Sequence, residues 1–310
     1  MTKFPVLDGH CDTAVELWRK GGSLTENSGQ VSLAQAKGFP AYVQFFAFCT
    51  VWIENAQTNG ERFEAGMAYF LRQLQNSGVK LCHTAAEISG ILADGGVGAA
   101  LSIEGAEAFG CDVGRLEALA GRGVRMIAPV WNYENAFAGS CVTGGGLTAR
   151  GREFVRRAQR AGIIVDVSHL SERGFWDVCE LAEAPIVASH SNAKACCAHP
   201  RNLTDEQFRA LCDLGGTAGL NLYAAFLHES GRATMDDVRR HLEHFLALGG
   251  DGHLALGGDL DGCDTLPDGM HGLRDYEMLE ICLENWGFDE TVIKNLFYKS
   301  LEKVVTLCIM

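Results

Sequence analysis

The amino-acid sequence predicts an α/β protein with the fold of a (β/α)₈ barrel. Short β-rich apolar runs alternate with amphipathic helical patterns, as expected for repeated strand–helix units. There are eight such runs, and a closed barrel needs eight strands with intervening helices. A chain of 310 residues also suits one large α/β domain, since such barrels typically occupy about 250 residues. The strand pattern alone is also compatible with an open doubly wound sheet.

The eight apolar runs are typical of parallel strands covered on both faces, because each is hydrophobic almost without interruption. They occupy residues 4–8, 42–48, 98–103, 124–129, 163–168, 186–189, 217–222 and 253–258. Amphipathic stretches follow several of them, at residues 60–77, 146–160, 171–182 and 234–247. Ser171 and Thr204 have the features of helix N-caps, with Glu or Gln close behind. We expect one barrel domain over residues 1–310, with a C-terminal helical extension from about residue 265.

The composition is that of an ordinary globular protein, with 47% hydrophobic and 21% charged residues. A net charge of −13 argues against binding to nucleic acid and offers no basic patch for a membrane surface. No apolar run is long enough for a signal peptide or a membrane span. The twelve cysteines lie mostly in apolar segments, which favours buried reduced thiols. These features together predict a cytoplasmic protein.

Ionisable side chains follow the carboxyl ends of five predicted strands, where barrel enzymes build their active sites. They are His10, Asp12, Glu104, His169, His190 and Asp259. In an extended segment, His10 and Asp12 point to the same side, so both can face one metal ion. Imidazole and carboxylate groups are ligands suited to zinc. Six such groups at strand ends would otherwise face an unexplained desolvation cost, so the pattern predicts a metal-dependent hydrolase.

Each residue taken alone also has a structural interpretation. HxD is a weak motif, Glu104 could cap the helix that follows it, and Asp259 with Asp261 could form a turn. Arg201 could simply pair with an acid such as Asp205. The other histidines are interpreted as structural or solvated, namely His83, His199, His228, His241, His244, His253 and His271.

Five motifs in order along the chain strengthen the metal hypothesis. They are DGHCD at 8–12, IEGAE at 103–107, VDVSH at 165–169, ASHSNAKACCAHPRNLTDEQ at 188–207 and GGDLDG at 257–262. Together they resemble the membrane (renal) dipeptidase family of zinc metallopeptidases, peptidase family M19. The most specific piece is SHSNA…HPRNLTD at residues 189–205. The similarity extends from about Asp8 to Gly262, and it is that of a soluble bacterial-type member.

The resemblance implies a (β/α)₈ barrel with two zinc ions per chain and a dipeptide substrate. By this resemblance His10 and Asp12 match the ligands of the first metal, and His169 and His190 match those of the second. Glu104 matches the carboxylate that bridges the two ions. Two further residues complete the implied site: Asp259 matches the acid beside a bridging water, and Arg201 the residue that holds the substrate's C-terminal carboxylate. A homodimer is the default for the family.

One position departs from the mammalian pattern of the family. A histidine near the end of the fourth strand contacts the scissile carbonyl there, whereas this chain has Trp131. Bacterial-looking relatives also carry Trp-Asn at this point. Asn132 and Tyr133 are the nearest polar replacements, so we predict that Trp131, Asn132 and Tyr133 contact the substrate.

The implied chemistry is peptide-bond hydrolysis by a hydroxide shared between two zinc ions, with Asp259 as general base and then acid. One alternative is a barrel amidohydrolase acting on a non-peptide amide, lactone or phosphoester. Those enzymes commonly begin with HxH and often bridge their metals with a carbamylated lysine, whereas this chain has HxD and Glu104. A catalytically silent binding protein is another alternative, but all five expected ligands are present.

Overall fold

The computed structural model describes residues 2–309, and within them a nine-stranded parallel sheet forms the centre of the molecule. The strands are β1 Val6–Cys11, β2 Ala41–Phe48, β3 Lys80–Leu81, β4 Gly96–Glu104, β5 Val124–Ala128, β6 Ile164–Val165, β7 Val187–Ala188, β8 Thr217–Leu220 and β9 Leu254–Leu256. All eight predicted strands are present. The additional strand, β3, pairs only with β4, and its Lys80 is exposed, so it lacks the apolar run that marks the buried strands.

The sheet curls into a barrel. Its strand order is β6-β5-β4-β2-β1-β9-β8-β7, with β3 beside β4. The two terminal strands meet through a parallel bridge between Asp166 and Val187, and the amide of Val167 donates to the carbonyl of Val187 at 2.8 Å. Eight strands therefore surround the core, and the predicted (β/α)₈ fold is confirmed.

Helices surround the barrel and connect its strands. They are α1 Thr13–Lys20, α2 Leu33–Ala36, α3 Asn59–Ser77, α4 Ala85–Asp94, α5 Leu116–Gly121, α6 Ala149–Arg160, α7 Glu172–Cys179, α8 Asp205–Asp213, α9 Ala224–Leu227, α10 Met235–Ala247, α11 Tyr276–Asn285, α12 Glu290–Lys294 and α13 Ser300–Cys308. A π-helical segment, Asn295–Lys299, joins α12 to α13. The predicted N-caps are confirmed, because Ser171 accepts from the amide of Gly174 and Thr204 from that of Gln207.

Alternate residues of the strands face the barrel interior and the surrounding helices. The interior positions form one apolar cluster with the C-terminal helix: Leu7, Val43, Phe45, Ala100, Met126, Ile164, Val187, Ala255, Leu301, Val304 and Val305. Helix α13 contacts β1, β8 and β9 and so covers one end of the barrel. The other end of the barrel, beyond the carboxyl ends of the strands, carries the polar side chains described below.

No helix within residues 2–309 is both long and apolar enough to cross a membrane. The twelve cysteines are all unpaired, and six of them are buried, namely Cys11, Cys49, Cys82, Cys111, Cys197 and Cys263.

Candidate metal and substrate site

The carboxyl end of the barrel brings the five predicted metal ligands together. His10 lies in β1 with Asp12 just after it, Glu104 ends β4, and His169 and His190 follow β6 and β7. Three imidazoles converge on one atom, Oε1 of Glu104. This oxygen lies 2.6 Å from Nε2 of His169 and 3.3 Å from Nε2 of His190. Nε2 of His10 lies 3.9 Å away, so Glu104 occupies the centre of the cluster.

A second group lies on the other side of His10. Its Nε2 atom is 3.5 Å from Oδ2 of Asp12 and 3.8 Å from Oδ1 of Asp259. The histidine half, Glu104 with His169 and His190, and the carboxylate half, His10 with Asp12 and Asp259, each place three ligand atoms within 4.8 Å of one another. The predicted ligands therefore form two adjoining groups, and Glu104 lies close to both.

The donor atoms of this cluster fit divalent metal ions. Nε2 of His10 is buried and has no hydrogen-bond partner among the described residues. Nε2 of His169 and Nε2 of His190 face each other at 3.2 Å. Burying Nε2 of His10 without a partner is costly, and a cation among these three imidazole nitrogens would satisfy it. Nitrogen and carboxylate oxygen donors are also the ligand types that zinc prefers.

The electrostatic environment differs among the three histidines. Burial and the charge of Arg201 lower the pKa of His169 to about 4. Burial, together with His10 and Arg201, also lowers the pKa of His190. Both rings are thereby kept in the neutral form that binds metals. Burial alone would lower the pKa of His10, but the carboxylates of Glu104 and Asp12 raise it to about 10. A potential that favours a proton here also favours a metal cation.

Asp259 is held beside His10 by its backbone and by one neighbour. Its φ of +57° lies in the left-handed region that non-glycine residues rarely adopt. Oδ2 accepts a hydrogen bond from Nδ2 of Asn221 at 2.9 Å. Burial, opposed by His10 and reinforced by Asp12, raises the pKa of Asp259 to about 7. A carboxyl group with such a pKa can both accept and donate a proton near neutral pH.

Asp261, two residues after Asp259, forms hydrogen bonds that hold a loop. Its carboxylate accepts from Oγ1 of Thr13 and from the amide of Gln30, both at 2.7 Å. It thereby fixes the loop around Gln30 and the start of α1, and it belongs to none of the candidate metal groups. The structure thus separates the two aspartates of the GGDLDG motif.

Arg201 is buried with an unneutralised guanidinium. Every hydrogen bond described for this group goes to a neutral oxygen: the carbonyls of Ser168 and His190, and Oγ of Ser191. Its Nε atom has no described partner. The acid that its sequence position suggests, Asp205, pairs instead with Nε2 of His244 at 2.8 Å. A buried cation without an acidic partner is unfavourable unless an anion joins it.

Most of the candidate metal ligands open, together with Arg201, into one cleft of about 910 Å³. Trp131 and Asn132 line it, and Oδ1 of Asn132 lies 3.1 Å from Nδ1 of His169. Tyr133 is not among the residues that line this cleft: it is 54% exposed, and the centre of its ring lies 5.5 Å from that of Trp131.

Several cleft residues have no distinct sequence signal. Helix α1 contributes Arg19, which lies over the ring of Trp52 at 4.5 Å. Tyr223 and Phe226 come from the segment after β8. His199, interpreted from sequence as structural or solvated, lines the cleft and accepts from the amide of Arg201 at 3.2 Å. Only His199 could have been suspected, because it precedes Arg201 within one motif.

The comparisons with known proteins agree with this geometry. The family model described as membrane dipeptidase, peptidase family M19, matches residues 1–307. An uncharacterised protein in the pqqA 5' region of Klebsiella pneumoniae is 38% identical over 239 residues, covering 73% of this chain and 88% of that protein.

Two solved structures resemble the whole chain. A metallopeptidase from Rhodobacter sphaeroides, liganded with a phosphinate mimic of the dipeptide L-Ala-D-Ala, is 30% identical with a TM-score of 0.90, covering 99% of this chain and 100% of that one. The structure of the dipeptidase AC, a metallopeptidase of family M19, is 32% identical with a TM-score of 0.89 and covers 99% of both chains. The chain therefore belongs to peptidase family M19, the membrane dipeptidases, and is a hydrolase of the metallopeptidase class.

Proposed function

We propose that this chain is a zinc-dependent dipeptidase that hydrolyses the peptide bond of dipeptides. One observation carries the proposal: the guanidinium of Arg201, buried and without an acidic partner among residues 2–309, opens into the same cleft as the candidate ligands around Glu104. The cluster supplies the means to activate water, and the guanidinium supplies a binding group for a free carboxylate.

Two zinc ions are proposed, in accordance with the two adjoining groups of donor atoms. His10 and Asp12 would hold one ion, His169 and His190 the other, and Glu104 would contribute to both. Bound there, the metals would lower the pKa of a water molecule and polarise the peptide carbonyl. The proposed arrangement is supported by the central position of Glu104, whose Oε1 lies within 3.9 Å of all three imidazole nitrogens.

Asp259 is the proposed proton carrier. It would take a proton from the attacking water and return it to the nitrogen of the leaving amine. Its position supports this role, because Asn221 fixes Oδ2 while Oδ1 faces His10 in the cleft. The left-handed backbone of Asp259 keeps the carboxyl group at the rim of the barrel.

Arg201 is the proposed anchor for the substrate's C-terminal carboxylate. A planar guanidinium can bind a carboxylate with two parallel hydrogen bonds. An anchor fixed one residue beyond the scissile bond would favour dipeptides over longer chains. Trp131, Asn132 and Tyr133 are proposed to contact the substrate. Of these, Trp131 and Asn132 line the cleft, and Asn132 also contacts His169.

The proposal is tested with a panel of L,L- and L,D-dipeptides, assayed with and without added zinc. The L,D members are included because the Rhodobacter sphaeroides relative binds a mimic of L-Ala-D-Ala. We expect zinc-dependent hydrolysis of at least one dipeptide and little hydrolysis of its C-terminal amide. Equal turnover of substrates that lack a free α-carboxylate would favour a barrel amidohydrolase of another specificity.

A further inference from the structure

Near the histidine half, the buried carboxylate of Asp166 accepts four hydrogen bonds. Oδ1 accepts from the amide of Ser168 at 2.9 Å, from Oγ of Ser168 at 2.6 Å and from the amide of Ser189 at 3.0 Å. Oδ2 accepts from Oγ of Ser189 at 2.5 Å. Although Asp166 forms a candidate metal group with His10 and His190, its lone pairs are already directed at these donors. It is therefore better suited to holding neighbours than to binding a metal.

Ser189 links this carboxylate to the imidazole of His190. Its Oγ lies 2.5 Å from Oδ2 of Asp166 and 2.7 Å from Nδ1 of His190. A hydroxyl group has only one proton, and a carboxylate can only accept. The proton of Ser189 therefore goes to Asp166, and Nδ1 of His190 must donate to Ser189. This polarity leaves Nε2 of His190 without a proton, facing Oε1 of Glu104 at 3.3 Å.

The position of Ser189 is itself tightly constrained. A Cβ atom added to Gly219 or to Gly257 would lie 1.8 Å from the carbonyl oxygen of Ser189. Only glycine allows the chain at these two positions to approach the carbonyl of Ser189 so closely, and this contact restricts the segment before His190. The backbone that carries Ser189, which links His190 to Asp166 by hydrogen bonds, is therefore restricted in its position.

We propose that Asp166 and Ser189 are positioning residues that fix the orientation of His190 and select the ring form whose Nε2 can bind a metal. The inference rests on the metal-binding part of the proposed function. The simpler explanation is that Asp166 and Ser189 only join β6 to β7, where Asp166 forms the closing bridge with Val187. The two explanations predict different zinc affinities for variants that have the same stability: only the positioning role predicts a loss of affinity.

The test compares Ser189→Ala with Ser168→Ala by zinc competition against a chelator, using the full chain. Both serines donate a hydroxyl proton to Asp166 from a buried position. Within His190, Oγ of Ser168 reaches only the backbone amide, at 3.2 Å, whereas Oγ of Ser189 contacts Nδ1 of the imidazole. The thermal unfolding midpoint of each metal-free variant measures the structural loss. We expect similar midpoints, with zinc affinity lowered about 10–100-fold in Ser189→Ala and nearly unchanged in Ser168→Ala.

A second variant tests the direction of the hydrogen bonds and serves if Ser189→Ala does not fold. In Asp166→Asn, an amide nitrogen facing Ser189 would donate to it, so that the hydroxyl turns towards Nδ1 of His190. The proton of the neutral ring would then move to Nε2 and compete with the metal. We expect weaker zinc binding in this variant although Ser189 and His190 are both intact.

Zinc affinity close to that of the wild type in both Ser189→Ala and Asp166→Asn would overturn the inference, as would an equal loss in Ser168→Ala. A wild-type chain that takes up no zinc would overturn both this inference and the proposed function. A wild-type chain that binds zinc and cleaves no dipeptide would overturn only the proposed function.

Discussion

The two halves of the candidate metal site are held in different ways. In the histidine half, side-chain partners fix each ring: Asn132 contacts Nδ1 of His169 and Ser189 contacts Nδ1 of His190. In the carboxylate half, Nε2 of His10 has no described hydrogen-bond partner and lies among acidic groups. Asp259 in the carboxylate half is also held by a neighbour, Asn221, so the difference lies in His10, whose acidic surroundings favour the positive charge that a metal would bring.

The halves also differ in their proposed tasks. Arg201 donates to the carbonyl of His190, so the carboxylate anchor belongs to the histidine half. Asp259 faces His10, so proton transfer belongs to the carboxylate half. Glu104 is common to both. Substitutions in each half should therefore damage different steps, and a substitution of Glu104 should damage all of them.

The largest effect is expected for Glu104→Gln, which keeps the size of the side chain and removes its charge. Zinc content should fall from about two per chain to one or less, and kcat by about 10³-fold or more, because both metals lose a ligand. Metal analysis and steady-state kinetics measure the two quantities. Glu107→Gln, the same change in the same motif, is the matched control. Retention of both zinc ions by Glu104→Gln would remove Glu104 from the shared position.

A smaller effect, confined to the carboxylate half, is expected for Asp259→Asn. The variant should keep its zinc while kcat falls by roughly 10²–10⁴, because the proton carrier is lost. Asp261→Asn is a suitable control, since Asp261 also has a left-handed backbone but binds the loop at Gln30. If zinc were lost from Asp259→Asn, the residue would be a ligand. Near-normal kcat with both ions bound would exclude it from the mechanism.

In the histidine half, Arg201→Ala should lower kcat/KM for dipeptides by about 2–4 kcal/mol, the usual result of removing one partner of a desolvated charge pair. Arg201→Lys should retain only part of the kcat/KM that Arg201→Ala loses, because an ammonium group cannot form the two parallel hydrogen bonds of a guanidinium. Arg19→Ala is the control, since Arg19 lines the same cleft but pairs with Glu16.

The anchor role is checked by comparing wild type and Arg201→Ala on a dipeptide and on its C-terminal amide. The wild type should cleave the amide poorly, and the variant should discriminate far less between the two substrates. An equal loss of kcat/KM on both substrates would show that Arg201 does not bind the carboxylate.

The smallest effect is expected for Asn132→Ala, which frees Nδ1 of His169. Zinc affinity should fall by about tenfold, because an outer partner of a ligand is lost and no ligand is removed. Asn135→Ala, which removes an amide bound to the carbonyl of Pro129, is the control. Unchanged zinc affinity in Asn132→Ala would contradict the view that side-chain partners organise the histidine half.

The same contrast shows which features the sequence could reveal. Buried parallel strands are apolar almost throughout, so the eight strands of the barrel were predictable, and candidate ligands such as Glu104 and His190 lie at or just after strand ends. The side chains that contact these candidate ligands were not predictable from the sequence. Ser189 and Asp166 meet because of the register between β6 and β7, which no local pattern encodes. Tyr133 was predicted to contact the substrate because it is one of the polar residues nearest Trp131, but local sequence does not show which residues of this loop line the cleft, and Tyr133 is not among them.

For the same reason, the sequence did not predict which residues form the wall of the cleft or which close the opposite end of the barrel. Arg19 reaches the cleft because α1 lies across its rim, and Trp52 supports it from the segment after β2. Helix α13 covers the opposite end through apolar residues that would suit any amphipathic helix. In each case the decisive contact joins segments far apart in the chain, so composition and spacing could not identify it.

Restoration of activity by zinc tests the central claim most directly. The chain is stripped with a strong chelator and titrated with zinc while hydrolysis of a dipeptide from the panel is followed. We expect no hydrolysis without metal and a rise in activity that levels off at about two zinc equivalents per chain, as two groups of donor atoms require. Full activity in a rigorously metal-free preparation would contradict the claim.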